Sequence, residues 1–203
     1  MNAKTMLLGL APWALFSVLA QRLGADVVGI AALLACASSA VLACVGIRKK
    51  GGLKIIDAAG IATFGVIALL GFFGSPELDQ TLVDFGRGGS ALVLAAVMGV
   101  SALTVPFTEQ YARDTVDPLY WSSPVFRAKN KKISAMWAGV VFAMAICHML
   151  AGALAAASTV DGNYPGNLLL NWVIPIMLII WAVKRTRTIA DNHPGTPSQQ
   201  TTP

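Results

Sequence analysis

PFTEQYARDTVDPLYWSSPVFRAKNKKISAMW, residues 106–137, is the longest polar interruption in a chain that is otherwise largely apolar. It carries five of the fifteen Lys and Arg residues, the acids Glu109, Asp114 and Asp117, and the aromatics Tyr111, Tyr120, Trp121 and Phe126. On both sides of it run apolar blocks long enough to read as membrane-spanning helices. The stretch is therefore expected to be the main surface offered to the aqueous phase, with residues 107–132 as a loop.

Working outward, 203 residues with 56% hydrophobic and 12% charged side chains fall far from the roughly 25% charged residues of soluble domains. The mean hydropathy of +0.66 points the same way. A net charge of +5 could suggest nucleic acid in a soluble protein. Here the basic residues sit at the ends of apolar blocks, which points to lipid headgroups and membrane topology instead. Cys36, Cys44 and Cys147 all lie within apolar blocks and read as small packing residues, not as disulfides. No Cys/His spacing fits a metal, and no phosphate loop, H-E-x-x-H, G-x-S-x-G or nucleotide fingerprint occurs. No cofactor and no enzymatic activity are expected.

A spanning helix needs about 20 apolar residues, and six candidates follow. The first, 5–20, contains Pro12; with Lys4 before it, it also resembles a signal peptide, a reading weakened by the five spans that follow. The second is 27–47, closed by Arg48, Lys49, Lys50 and Lys54 around a Gly51-Gly52 turn, and the third is 55–73. Ser75-Pro76-Glu77 reads as a helix cap and acidic first turn, starting a short surface helix to about 83 that ends before Gly86-Arg87-Gly88-Gly89. The fourth span is 90–107, the fifth 133–157 and the sixth 168–183, with turn chemistry at 161–166. A single bundle over 1–187 precedes a polar, Pro-rich tail (188–203) expected to be disordered. With both termini cytoplasmic, thirteen of the fifteen Lys and Arg residues lie inside and only Arg22 and Arg87 outside, as the positive-inside rule requires. The expectation is an all-α polytopic bundle of six transmembrane helices.

In lipid, small residues mark helix contacts. The rows Ala31, Ala35, Ser39, Ala43 and Ala32, Cys36, Ala40, Cys44 in the second span, and Gly139, Ala143, Cys147, Ala151, Ala155 in the fifth, place these two helices at the centre. Within the loop, Glu109 and Arg113 have the favoured i,i+4 order for an ion pair, giving a short helix at 107–115 that Asp117-Pro118 breaks. Ser123-Pro124 starts the fifth helix early, about 34 residues and ~51 Å long, with Phe126, Asn130, Ile133 and Trp137 on one face. Tyr120, Trp121 and Trp137 suit the interfacial aromatic belt.

The pattern Pro106-Phe107-Thr108, Gln110-Tyr111-Ala112-Arg113, Trp121, Pro124, Phe126, Asn130 and Trp137 is similar to that of a group of bacterial membrane proteins related to the intracellular septation protein A family. Phe64-Gly65 and the acidic stretch 76–84 fit the same layout, so the resemblance covers about 54–142. It implies a bacterial inner-membrane protein linked to envelope synthesis or division through protein partners, and it supplies no catalytic residues.

Two sets of residues are candidates for function. The loop set is Glu109, Tyr111, Arg113, Trp121, Phe126, Arg127, Asn130 and Trp137, read as a contact surface for partners or lipid, or else as a clamp closing the bundle. The intramembrane set is Asp57, His148 and Asn171. An ionisable residue in a span is a functional candidate by default, but a neutral His148 bonded to a neighbouring helix explains it more simply, as a Lys54 pair does for Asp57. Asn171-Pro175 and Pro12 can mark broken helices along a transport path or simply satisfied kinks. The leading expectation is a membrane scaffold acting through the loop on lipids and on other envelope or division proteins, with no nucleic acid. The alternative is a small secondary transporter using the intramembrane polar residues.

Overall fold

The computed structural model describes residues 3–49, 51–157 and 166–191, and every regular element among them is helical. In chain order these are α1 (Ala3–Gly9), α2 (Ala11–Leu23), α3 (Val28–Arg48), α4 (Ile55–Phe73), α5 (Pro76–Leu103), α6 (Phe107–Ala112), α7 (Pro124–Ala157) and α8 (Gly166–Asp191). Single 3-10 turns at Ala25–Val27 and Pro118–Tyr120 join α2 to α3 and lead into α7.

Among the described residues five helices, α3, α4, α5, α7 and α8, are long and apolar enough to cross a membrane. Only 17% to 39% of each apolar window is buried inside the protein. The remaining apolar surface faces outward, which water would penalise and hydrocarbon does not. This is a multi-pass helical membrane protein.

The segment expected to form the first span is divided. Pro12 has no N–H to donate, and the helix breaks at Leu10, whose own N–H turns back to the Leu7 carbonyl. Neither piece alone has the length of a spanning helix. Together they still run the height of the bundle: Gly9 sits against Tyr111 of α6, while Gln21 bonds to Asn167 of α8 and to Arg87 of α5 at the other end.

The expected break at Gly86-Arg87-Gly88-Gly89 does not occur, and α5 is one helix of 28 residues. Ser75 caps it as its sequence suggests, its hydroxyl accepting from the Leu78 N–H at 3.4 Å. The glycines serve close packing. A Cβ on Gly88 would lie 2.6 Å from the Met149 sulfur, and one on Gly152 of α7 would strike the Asp84 carbonyl. α5 and α7 accordingly form the most extensive helix pair, followed by α3 and α4. In the second pair Gly29 and Gly71 cross, with a Gly71 Cβ only 2.7 Å from the Gly29 nitrogen.

The small-residue rows are thus half right. Ala31, Ala35, Ser39 and Ala43 are buried, but α3 pairs chiefly with α4, where Ser39 meets Gly60, and Cys44 is exposed. On α7 the buried face is Asn130, Ile133, Ser134, Trp137, Val140, Val141, Ala145, His148 and Ala151, so Gly139 faces outward. α7 spans 34 residues, the length read from Ser123-Pro124. α8 continues to Asp191, past residue 187, and has a π-helical segment at Leu169–Val173. Most of the 161–166 turn and residues 192–203 lie outside the described residues.

Candidate binding site

The loop folds inward more than it projects. α6 is stitched to its neighbours: the Phe107 N–H donates to Ser101 of α5, the Thr108 N–H to Ser134, and the Thr108 hydroxyl to the Asn130 carbonyl of α7 at 2.9 Å. The Gln110 side chain accepts from the Ile55 N–H and so caps α4. Four members of the loop set are consequently buried: Glu109, Tyr111, Asn130 and Trp137. Trp137 is no interfacial residue; it is fully enclosed and its indole donates to Thr186 of α8 at 2.9 Å. Asn130 donates to the Phe126 carbonyl within its own helix. Trp121 and Phe126 are half-buried, while Arg113 and Arg127 are exposed. The expected Glu109–Arg113 pair is present at 2.5 Å, with Arg113 also over the Trp121 ring.

Between α1, α3, α4 and α6 these elements leave a cleft of about 520 Å³. Leu8, Leu42 and Val45 form an apolar wall, and Lys49, Lys54, Arg113 and Asp114 contribute charge. Asp57 and Tyr111 line it too, although their residues are only 4% and 1% exposed. Lys54 makes no salt bridge to Asp57, although its charge acts on that carboxylate from nearby. Its ammonium bridges to Asp114 at 2.5 Å and lies 4.2 Å from the centre of the Tyr111 ring. Asp114, in the turn just after α6, takes the ammonium because its carboxylate lies directly against the Gly51 end of the Gly51-to-Lys54 turn.

This leaves the Asp57 Oδ1 and the Tyr111 hydroxyl without a hydrogen-bond partner. Such orphaned buried atoms cost about 1–3 kcal/mol each, and they are a sign of a function or an unfilled ligand position. Gly9 makes room for them; a Cβ there would come within 2.6 Å of the Tyr111 hydroxyl and 3.7 Å of Asp57 Oδ1. Burial, reinforced by Asp57 and Asp114, holds the Tyr111 phenol well above the ordinary tyrosine range, so it stays protonated. One turn further along α4, Gly60 sits against Ser39 and near the Trp13 indole, both of whose polar atoms also lack partners.

His148 and Asn171 meet, but elsewhere. At the opposite end of the bundle Asn171 donates to Asn167 at 2.6 Å, which turns its carbonyl oxygen toward His148 Nδ1 at 3.0 Å. That nitrogen therefore carries a proton and donates it to the Asn171 oxygen. Pro175 cannot donate to the Asn171 main-chain carbonyl four residues earlier, and Arg87 of α5 takes that place at 2.7 Å while stacking on Trp172. The π-helical register at Leu169–Val173 accommodates both bonds. Neither His148 nor Asn171 lines the cleft.

Among the described residues no three His, Cys, Asp or Glu side chains gather in a way that could hold a metal ion. No family model matches the chain, and neither a curated protein nor a solved structure matches it. Sequence reasoning found Asp57 and Tyr111 singly but not as a pair. Gly9, Lys54 and Asp114 converge from positions up to about a hundred residues apart, and a single sequence has no signal for that.

Proposed function

We propose that this chain is a six-pass bacterial inner-membrane protein, both termini cytoplasmic, that binds a membrane-borne ligand in the cleft beneath its cytoplasmic loop. The observation that carries the reading is the pair of unpartnered polar atoms, Asp57 Oδ1 and the Tyr111 hydroxyl, at a cleft with an apolar wall and a basic rim. Polar groups converging in a concave, partly apolar site are the usual form of a ligand pocket. The sixth pass is the kinked α1–α2 pair, which reaches from one end of the bundle to the other. The basic residues Arg48, Lys49, Lys54, Arg113, Arg127 and Lys129 all belong to the α6 end, and this favours that end as the cytoplasmic one. His148 and Asn171 are structural in this reading, because they satisfy one another and lie outside the cleft.

The test fills the cleft. In mild detergent, a bacterial lipid extract should stabilise the parent protein, by about 2.7 kcal/mol if the ligand reaches a hundred times its Kd. Val45→Trp, at a half-open position of the apolar wall, should fold but lose that gain. Equal stabilisation of both proteins would overturn the reading.

A second reading keeps the loop as a docking surface for envelope or division proteins, in line with the septation-type resemblance. What supports it is the exposure of Leu119, Tyr120, Val125 and Arg127 within this one stretch of chain. Leu119→Ser with Arg127→Gln would then abolish capture of the partner and leave the lipid effect intact.

A further inference from the structure

Resting on the cleft reading, the charges that remain after internal pairing identify the ligand more closely. Lys54 is bonded to Asp114 and Arg113 to Glu109. Of the charged residues lining the cleft, only Lys49 and Asp57 are left without an ion-pair partner among the described residues. Lys49 is exposed at the end of α3; Asp57 is buried in the first turn of α4. The unfilled demand is therefore for one anion near an exposed ammonium and one cationic donor at a buried carboxylate.

We propose that the cleft takes the phosphoethanolamine head of an aminophospholipid, its primary ammonium donating to Asp57 Oδ1 and the Tyr111 hydroxyl and its phosphate facing Lys49. A simple anion would leave Asp57 unanswered. A trimethylammonium head has no N–H to donate, and the aromatic face that could attract it, Tyr111, already holds the Lys54 ammonium at 4.2 Å. The acyl chains lie along Leu8, Leu42 and Val45, of which Leu8 is 58% and Val45 41% exposed. Asp57 and Tyr111 thus remain orphaned only until the lipid supplies N–H donors.

The experiment is a native mass-spectrometric titration of the full chain in detergent. The probes are dioleoyl phosphatidylethanolamine, its N-methyl and N,N-dimethyl derivatives, phosphatidylcholine and phosphatidylglycerol. The N-methyl lipid keeps the two N–H groups that Asp57 and Tyr111 need, so binding should fall mainly at the N,N-dimethyl step and by about tenfold or more at phosphatidylcholine, where no N–H remains. Asp57→Asn should level phosphatidylethanolamine with phosphatidylcholine. Tyr111→Phe, which keeps the ring beneath Lys54, should reduce the preference severalfold, and Lys49→Gln should weaken the ethanolamine and glycerol lipids alike. Soluble glycerophosphoethanolamine should compete only at far higher concentration.

A flat methylation series, or a preference that survives Asp57→Asn, overturns the headgroup assignment. If Val45→Trp still blocks binding in that case, the cleft reading stands without it. Unchanged binding by Val45→Trp removes both. Competition by the soluble head at the lipid's own concentration overturns the membrane source.

Discussion

A buried hydroxyl that finds no partner leaves a mark on the titration of the whole protein. The Tyr111 phenol is held above its ordinary pKa of 10.0, chiefly by burial. The unfolded chain releases that proton first, so the contribution of Tyr111 to stability is intact below pH 10 and declines as pH rises past it. Tyr111→Phe should flatten this alkaline decline in denaturation midpoints and remove the latest step of phenolate absorbance. An unchanged profile would mean the hydroxyl is solvated. His148 offers a contrasting test. His148→Leu and Asn171→Leu should each cost about 1 kcal/mol, the range for hydrogen bonds between membrane helices. The double variant should cost clearly less than the sum, because each single change already breaks the same bond. Asp57 shows what sequence can give at this scale: its place one turn inside an apolar helix marks it, but nearness to Lys54 in the chain does not give it that lysine's salt bridge. Lys54 lies three residues away in sequence, whereas Asp114, brought in by the α6 fold, wins the ammonium.

Helix boundaries were legible wherever a local device sets them. Ser75-Pro76 and Ser123-Pro124 both start the helices they announce, and the Gly51-Gly52 turn ends at a residue with φ of 73° that favours glycine. Glycines inside α5 misled, because the same residue that ends a helix in water permits two helices to touch in lipid. Only the partner helix distinguishes these roles, and its face is not written in the glycine run itself. The consequence can be measured. Gly152→Val pushes its Cβ into the Asp84 carbonyl and should destabilise the α5–α7 pair by ~1–3 kcal/mol or more. Gly139→Val, on the outward face of the same helix, should change little. Comparable losses in the two variants would contradict the packing described.

At the scale of the molecule, the alternation of charge and apolar blocks fixed the helical membrane class, while the cleft depends on α1, α3, α4 and α6 closing together and was not legible. Reporter insertions after Gly24 and Gly74 should read as outside and those after Gly51 and Lys129 as cytoplasmic. A cytoplasmic signal at Gly24 would place α1–α2 on the surface instead of across the bilayer.

α8 differs from the other helices in how it is attached. Only 17% of its apolar window is covered, against 39% for α5, and it is pinned at separate points: His148 and Arg87 hold Asn171, Trp137 holds Thr186, and Lys129 holds the Ala190 carbonyl. Directional bonds rupture over a shorter extension than an interdigitated face. Drawn from its C-terminus by an atomic-force tip, the protein should surrender α8 in a first rip at low force. The remaining helices should then hold to a higher load as a unit, and Arg87→Gln should lower only that first peak.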